Sequence, residues 1–121
     1  MPARGMTVVL NEAGQALSWD FRIVEPGTYK VAVVCNVGAT QEWKADGSMR
    51  ATVAGQSVES KLVEDERIEN RWMAHNMKSV VSILGTVKIE ASGMQTLTLE
   101  VTSDFVDLKP NIRYVQLLPE K

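Results

Sequence analysis

The sequence has little of the residue types on which metal sites and catalysis most often depend. It contains one cysteine, Cys35, and one histidine, His75, in 121 residues. An internal disulfide and a multi-cysteine metal site are therefore excluded, and zinc, which favours several Cys or His ligands, is not expected. Because Cys35 lies in an apolar run, it is predicted to be a small buried hydrophobic residue rather than a reactive thiol.

A charge excess and long apolar runs are also lacking. The formal net charge is −2, so the clustered positive surface that nucleic-acid binding requires is not expected. Apolar stretches such as 31–35 and 80–84 are far shorter than a bilayer span, so no membrane partner is expected. Residues 1–5 lack the apolar core of a signal peptide. The chain is therefore either cytoplasmic or a piece of a longer secreted protein.

The amino acids that are present fit a single domain over residues 1–121. Hydrophobic residues make up 45% and charged residues 23% of the chain, which is ordinary for a soluble globular domain. A chain of this length buries a core of its own and leaves no room for a second domain.

Alternation of apolar and polar residues is the dominant pattern. From Leu17 to Ile23 every odd position is apolar and every even one polar, which predicts a strand with one buried face. Pro26 and Gly27 then predict a type II turn, with a positive φ at the glycine. The next apolar run, 28–35, is predicted to be a central strand that forms a hairpin with the first.

Further stretches predict short strands at close spacing. About eight strands are expected in all, which is typical of an all-β, antiparallel two-sheet sandwich of the jelly-roll kind. Gly85 within one of them predicts a bulge or break. The other predicted strands are 6–10, 49–53, 57–63 after a turn at 54–56, 80–90, 95–102 after a turn at 91–93, and 112–118. The predicted core comprises Leu17, Trp19, Phe21, Ile23, Tyr29, Val31, Val33, Val53, Val87, Ile89, Leu97, Leu99 and Val101.

Two segments interrupt the alternation. Residues 36–47 resemble a loop and hold Trp43. Residues 64–78 are dense in charge and hold Ile68, Trp72 and His75. We interpret this second segment as a long connection between the sheets, with room for a turn or two of helix because Ile68 and Trp72 are four residues apart.

No catalytic residues are predicted. A serine nucleophile elbow, a phosphate-binding loop and a dinucleotide fingerprint are all lacking, and His75 is interpreted as an exposed loop residue. The chain has 15 acidic residues, but no pattern marks two of them as a glycosidase pair. Asp104 and Asp107 flank a loop near the last strand, where they are either calcium ligands or part of a solvated acidic turn.

The three tryptophans divide into two kinds. Trp19 lies on an alternating apolar face and is predicted to be in the core. Trp43 and Trp72 lie in polar loops, where flat rings can stack on sugar faces. They are candidate carbohydrate-binding residues, together with the nearby polar residues Glu42, Asn70 and Arg71, and Gln41 and Asp46 are further polar neighbours. The alternative is that each ring caps an open end of the sandwich.

The motifs resemble those of a known domain family. Residues 19–31, Trp-Asp-Phe-Arg-Ile-Val-Glu-Pro-Gly-Thr-Tyr-Lys-Val, resemble the W-x-F-x-V-x-x-P-G-x-Y-x-V pattern of non-catalytic β-sandwich domains at the C-terminus of bacterial alpha-L-fucosidases. Residues 51–56, 84–89, 93–99 and 112–117 resemble later strands of the same domains. The resemblance covers roughly residues 15–119, and its wider kinship is with galactose-binding-like carbohydrate-binding modules.

The resemblance implies an accessory domain of a glycoside hydrolase. Its implied partners are a carbohydrate or an adjacent catalytic domain, and its implied location is secreted or periplasmic, as part of a longer chain. A structural calcium ion is common in the wider group, and Glu12 and Asp107 are the positional candidates for its ligands. The alternative is a purely structural domain that packs against another domain and binds no ligand.

Overall fold

The computed structural model describes residues 8–38, 42–69, 77–108 and 110–120, with the main chain alone for Val8, Gly38, Glu69 and Met77. These residues form nine β-strands, which we number β1 to β9 in chain order. Their bounds are β1 Val8–Val9, β2 Ala16–Ile23, β3 Gly27–Gly38, β4 Ser48–Val53, β5 Gln56–Lys61, β6 Glu66–Glu69, β7 Met77–Ile89, β8 Gly93–Ser103 and β9 Asn111–Pro119. No helix in the described residues is long and apolar enough to cross a membrane.

The strands form two antiparallel sheets. One has five strands in the order β1-β9-β3-β7-β6, and the other has four in the order β2-β8-β4-β5. Apart from β4–β5 and β6–β7, each connection carries the chain from one sheet to the other. Without β6, the remaining eight strands follow the order of a jelly roll. The predicted all-β sandwich is therefore confirmed.

The predicted hairpin of β2 and β3 is wrong. β2 pairs with β8, whereas β3 lies between β7 and β9 in the other sheet. The connection at 24–26 therefore spans two layers instead of reversing within one, and Gly27 opens β3 without the positive φ that a type II turn needs. The alternation of apolar and polar residues predicts which face of each strand is buried. It does not predict which strand lies next to it in the sheet.

The predicted connection at 64–78 contains a strand. β6 covers Glu66–Glu69 and pairs with β7, Ile68 lying opposite Ser79. These four residues therefore form no helical turn, and residues 70–76 of the segment lie outside the described residues. Three of the four β6 residues are charged. The segment therefore lacks the alternation of apolar and polar residues that would predict a strand. Such charges suit an edge strand, because they discourage pairing with another chain.

The hairpin of β4 and β5 is confirmed. Val53 pairs with Gln56 across a two-residue loop, and both loop residues have positive φ, 52° at Ala54 and 75° at Gly55. This is a type I′ turn, whose twist matches that of the flanking strands.

The break predicted at Gly85 is also confirmed, and it closes one side of the sandwich. Gly85 has a φ of 154°, and the pairing of β3 with β7 shifts register between Val31 and Ala32. Beyond the bulge, β7 lies close to β5 of the other sheet. The Gln56 side chain accepts a hydrogen bond from the Lys88 main-chain N–H (2.8 Å) and donates one to the Lys88 carbonyl oxygen.

The core between the sheets follows the alternation. Ten of the thirteen predicted core residues are buried, and the other three, Leu17, Trp19 and Tyr29, are half-buried and pack against the same cluster. Cys35 is fully buried, as predicted. On the other face of β3, Ala32 and Val34 are buried as well, which confirms that β3 is central.

Candidate binding surfaces

Trp43 lies in the loop between β3 and β4 at one end of the sandwich. Its ring is half-buried and packs against the core. The indole N–H donates a hydrogen bond of 2.6 Å to the carbonyl oxygen of Leu62, a buried residue just after β5. One face of the ring therefore belongs to the protein interior, as in the capping interpretation, while part of the ring remains exposed.

The loop that carries Trp43 is fixed in place by its later residues. The Asp46 carboxylate accepts a hydrogen bond of 3.0 Å from the Val106 main-chain N–H. A Cβ atom on Gly47 would lie 2.4 Å from the Ser103 carbonyl oxygen and 2.6 Å from the Phe105 ring. Only a residue without a Cβ fits that space, so the loop packs directly on the end of β8 and the β8–β9 loop.

A shallow depression lies between the loop that carries Trp43 and the β8–β9 loop. Glu42, Lys44, Asp107 and Leu108 line it, and its volume is about 370 Å³. Glu42 and Lys44 form an exposed ion pair of 3.5 Å, which contributes little to stability because water screens both charges. Charged groups of both signs therefore line this depression, and the Trp43 ring is not among its lining residues.

The other predicted carbohydrate-binding residues, Asn70, Arg71 and Trp72, lie outside the described residues. His75 lies outside them as well. Their predicted roles stay predictions.

The two calcium ligands that the resemblance implies, Glu12 and Asp107, lie in different loops. Glu12 is exposed in the β1–β2 loop, where the Gln15 side-chain oxygen accepts hydrogen bonds from the Asn11 and Glu12 N–H groups (2.9 and 3.0 Å). Asp107 is exposed in the β8–β9 loop. Within the described ranges no three Asp, Glu, His or Cys side chains are grouped so that they could hold a cation. Calcium, which takes six to eight oxygen ligands, stays a prediction there.

Asp104, in the acidic loop near the last strand, forms a hydrogen bond with a second loop. The Asp104 carboxylate accepts a hydrogen bond of 2.7 Å from the Ala13 main-chain N–H, and the Phe105 N–H donates to the Asn11 carbonyl oxygen (2.8 Å). Asp104 therefore ties the β8–β9 loop to the β1–β2 loop.

The fold changes the ionisation of the Cys35 thiol, a group that can act as a nucleophile when it is deprotonated. Burial raises its pKa from 9.0 to about 12, because the apolar surroundings disfavour the thiolate. The thiolate is the reactive form, so Cys35 is a packing residue.

A groove lies on the side of the sandwich opposite the β5–β7 contact. It has a volume of about 670 Å³ and runs between β2 and β9, lined by residues 20–25, Tyr29 and residues 114–117. Consecutive residues of β2 and of β9 line the groove. Because neighbouring side chains of a strand point to opposite faces of its sheet, the groove lies along the edges of these two strands. Buried Phe21, Ile23 and Val115, with half-buried Leu117, form its floor, and exposed Asp20, Arg22 and Gln116 form its rims.

Sequence reasoning did not find this groove. The alternation indicated which residues of β2 and β9 face inward, but it carried no signal that the edges of these two strands lie side by side. That neighbourhood arises from the sheet orders, which join residues more than 90 positions apart.

Comparison with known proteins supports the fold. Neither a protein-family model nor a curated protein sequence matches this chain. Among solved structures, an alpha-L-fucosidase from Vibrio sp. strain EJY3 matches with a TM-score of 0.75 and 22% sequence identity. The match covers 94% of this chain and 21% of the fucosidase chain. The likeness to a fucosidase domain that the motifs predicted is therefore present in the fold: the chain is similar to a region that makes up about a fifth of that enzyme.

Proposed function

We propose that this chain is a non-catalytic accessory domain of a glycoside hydrolase, where it packs as a structural unit against a catalytic domain. The observation that carries the proposal is the fold match, which spans nearly all of this chain but 21% of the fucosidase. On this proposal the groups that cleave the glycosidic bond belong to the rest of the parent protein. Its place is then outside the cytoplasm, secreted or periplasmic, as part of a longer chain.

The chemistry of the described residues supports a non-catalytic role. Glycoside hydrolysis needs two carboxyl groups that face each other across the bond, one of them with a tuned pKa. Among the described acids, Asp46, Asp65 and Asp104 instead accept hydrogen bonds from main-chain N–H groups of other segments (3.0, 2.7 and 2.7 Å). The one buried thiol is held in its unreactive protonated form.

A direct activity assay tests the proposal. We expect the purified chain to release no aryl alcohol from 4-nitrophenyl glycosides, the alpha-L-fucoside included. Turnover that is lost when one acidic residue is changed to its amide would overturn the non-catalytic assignment.

A second candidate function is carbohydrate binding at Trp43. The exposed part of the ring favours it, because a sugar can place its C–H face on the ring. Glu42 and Lys44, the exposed neighbours of Trp43 in the chain, carry polar groups that can bind hydroxyl groups. The opposing observation is that the indole N–H is already engaged by Leu62, which leaves only part of the ring for a ligand.

A glycan titration separates the two candidates. Wild type, Trp43→Ala and Trp72→Ala are titrated with fucose-containing and other polysaccharide fragments, and thermal melts are run beside them. The structural proposal expects no glycan binding by wild type and an earlier melt for Trp43→Ala. Binding by wild type that Trp43→Ala removes at an unchanged melting temperature would support the carbohydrate-binding candidate instead.

A further inference from the structure

The two outer faces of the sandwich differ in composition. On the four-stranded sheet the outward side chains are mostly polar, and Arg50 forms ion pairs there with Glu59 (3.3 Å) and Glu100 (3.7 Å). On the five-stranded sheet, outward positions of β3, β7 and β9 are apolar instead, and they form a second cluster beside the main core. Its members are buried Ala32, Val34 and Val81 and half-buried Ile83, Tyr114 and Leu118.

The strand register places one more apolar residue on this side of the sheet. Ile68 of β6 lies directly opposite Ser79 of β7, and Ser79 lies opposite Asn36 of β3. Directly opposite residues point to the same side of a sheet, and Asn36 follows outward Val34 by two positions, so this row faces outward as well. Ile68 is 42% exposed. Together with the six clustered residues it forms what we call the outer apolar face.

Polar residues border the outer apolar face at both ends of its strands. Asn36, Ser79 and Asn111 form one border row, and Lys30 and Thr86 lie in the other. A contiguous apolar patch with a polar rim is typical of a surface that binds another protein or domain. All six clustered residues belong to the five-stranded sheet itself, so among the described residues no further layer contributes to the cluster.

The size of this face decides between two kinds of partner. From the row of Lys30 to the row of Asn36 it is roughly 20 Å long, and from β9 to β6 it is roughly 14 Å wide, at about 3.3 Å per residue and about 4.8 Å per strand. Its area is therefore roughly 300 Å², whereas a stable dimer buries about 800 Å² on each partner. Contacts between domains of one chain start at about 300 Å² on each side, because the covalent link keeps the two surfaces close together. A tethered domain fits this face, and a second copy of the chain does not.

Both ends of the described chain lie in the same sheet. β1 and β9, the first and last described strands, pair with each other in the five-stranded sheet. Glu120, just after β9, is held there by a hydrogen bond from its N–H to the Thr28 carbonyl oxygen (2.8 Å). Whichever end joins the rest of a parent protein, the connection therefore starts from the five-stranded sheet. This brings a tethered domain closer to the outer apolar face than to the polar face of the other sheet.

We propose that the outer apolar face is the surface through which this domain packs against the catalytic domain of its parent glycoside hydrolase. This inference rests on the proposed function and adds the face by which the two domains meet. The partner surface is apolar at its centre, over Val34 and Tyr114, and carries hydrogen-bonding groups at its margin, where Asn36 and Asn111 lie. The four-stranded sheet, with its ion pairs and paired hydroxyl groups, faces solvent in the assembled protein.

The test compares this chain alone with the parent protein, encoded by the reading frame that contains it. Both are exposed to hydroxyl radicals, which oxidise accessible aromatic, aliphatic and methionine side chains, and the labelled residues are identified by mass spectrometry. We expect the labelling of Ile68, Tyr114 and Leu118 to fall about threefold or more in the parent, because the centre of an interface loses its contact with water. Met94, 62% exposed on the outer side of the four-stranded sheet, is the internal control and should be labelled equally in both.

Two matched variants examine the contact. Leu118 lies directly opposite Lys30, and Met94 lies directly opposite Arg22. A glutamate at either position therefore gains a basic cross-strand neighbour, and thermal melts should show that both variants of the isolated chain stay folded. In the parent, Leu118→Glu places a charge in an apolar contact, so we expect the labelling of Tyr114 to return to its level in the isolated chain. Met94→Glu should leave that labelling low.

The outcomes separate this inference from the proposed function. A parent reading frame without a catalytic domain would refute both. A catalytic domain that leaves the labelling of Tyr114 unchanged, or that protects Met94 instead, would refute this inference alone, as would low labelling of Tyr114 in the Leu118→Glu parent. Two results with the isolated chain would also overturn it: a face that is already unlabelled, because the chain then covers it, or labelling that falls as the concentration of the chain rises, because the face then binds a second copy.

Discussion

Gly85 of β7 lies so close to Val58 of β5 that a Cβ atom on the glycine would be 3.0 Å from both the Cβ and a Cγ atom of the valine. The two residues belong to different sheets, and their contact closes the side of the sandwich on which the Gln56 amide also bonds to Lys88. A methyl group at position 85 would therefore require Val58 to move by a few tenths of an ångström.

Gly85→Ala is therefore expected to lower the free energy of unfolding by about 2–3 kcal/mol, because the substitution combines an unfavourable φ with overpacking. Gly93→Ala is the matched control, since Gly93 also has a positive φ (121°) but open space where the Cβ would lie. Gly93→Ala should lower the free energy of unfolding only by the backbone strain, about 1–2 kcal/mol. Urea unfolding measures both, and adding Val58→Ala should recover part of the Gly85→Ala loss. Equal costs for the two glycine variants would contradict the steric explanation.

Trp43→Phe is expected to destabilise the fold by about 1–2 kcal/mol. The phenyl ring keeps part of the packing, but it leaves the buried carbonyl oxygen of Leu62 without its N–H donor. Trp43→Ala should cost more, about 3 kcal/mol, because the ring contacts are lost as well. Thermal or urea unfolding gives both values. A wild-type melting temperature for Trp43→Phe would mean that this hydrogen bond adds nothing.

Ser82→Ala is expected to raise stability by about 1 kcal/mol. Ser82 faces the core, is fully buried, and its hydroxyl has no hydrogen-bond partner in the described structure. Removing a buried, unsatisfied hydroxyl therefore removes a desolvation cost. Ser48→Ala serves as the control, because the Ser48 hydroxyl hydrogen bonds with that of Thr102 (2.7 Å). It should lose about 0.5–1 kcal/mol. If both variants lost stability equally, the Ser82 hydroxyl would have an undetected partner.

Cys35 gives the fold a defined dependence on alkaline pH. Below pH 9 both the folded and the unfolded chain keep the thiol proton, so the contribution of Cys35 to stability is fully present. Between pH 9.0 and about 12 the unfolded thiol ionises and the folded one does not. The unfolded state then binds fewer protons, and the free energy of unfolding falls by about 1.4 kcal/mol per pH unit.

The measurement compares wild type with Cys35→Ala across pH, so that the titration of Tyr and Lys cancels. Their difference in the free energy of unfolding should be constant below pH 8 and shrink steadily above pH 9. A difference that stays constant to pH 11 would show that the folded thiol ionises normally.

The motifs and the alternation of apolar and polar residues predict the all-β sandwich and most of its core. Period-two patterns placed Phe21, Val33 and Leu99 in the core, because a strand that is solvated on one face must alternate. Gly85 indicated a bulge and Gly55 a tight hairpin turn, since both positions need a φ that other residues adopt at a cost. Trp43 was recognised as a loop tryptophan with two open interpretations, ligand platform or cap.

Tertiary structure decided what alternation leaves open. Strand pairing depends on residues far apart in the chain, so β2 and β3 entered different sheets despite their short connection. β6 is a strand because its main chain pairs with β7, although three of its four residues are charged. The Leu62 carbonyl that binds Trp43 is 19 residues away, and the groove forms only because the sheet orders bring the β2 and β9 edges together. The sequence by itself determined which side chains avoid water, because that depends on the chemistry of each residue and its neighbours in the chain. Which strands lie side by side was decided only by the tertiary structure, because it depends on pairing between main-chain groups that are far apart in the sequence.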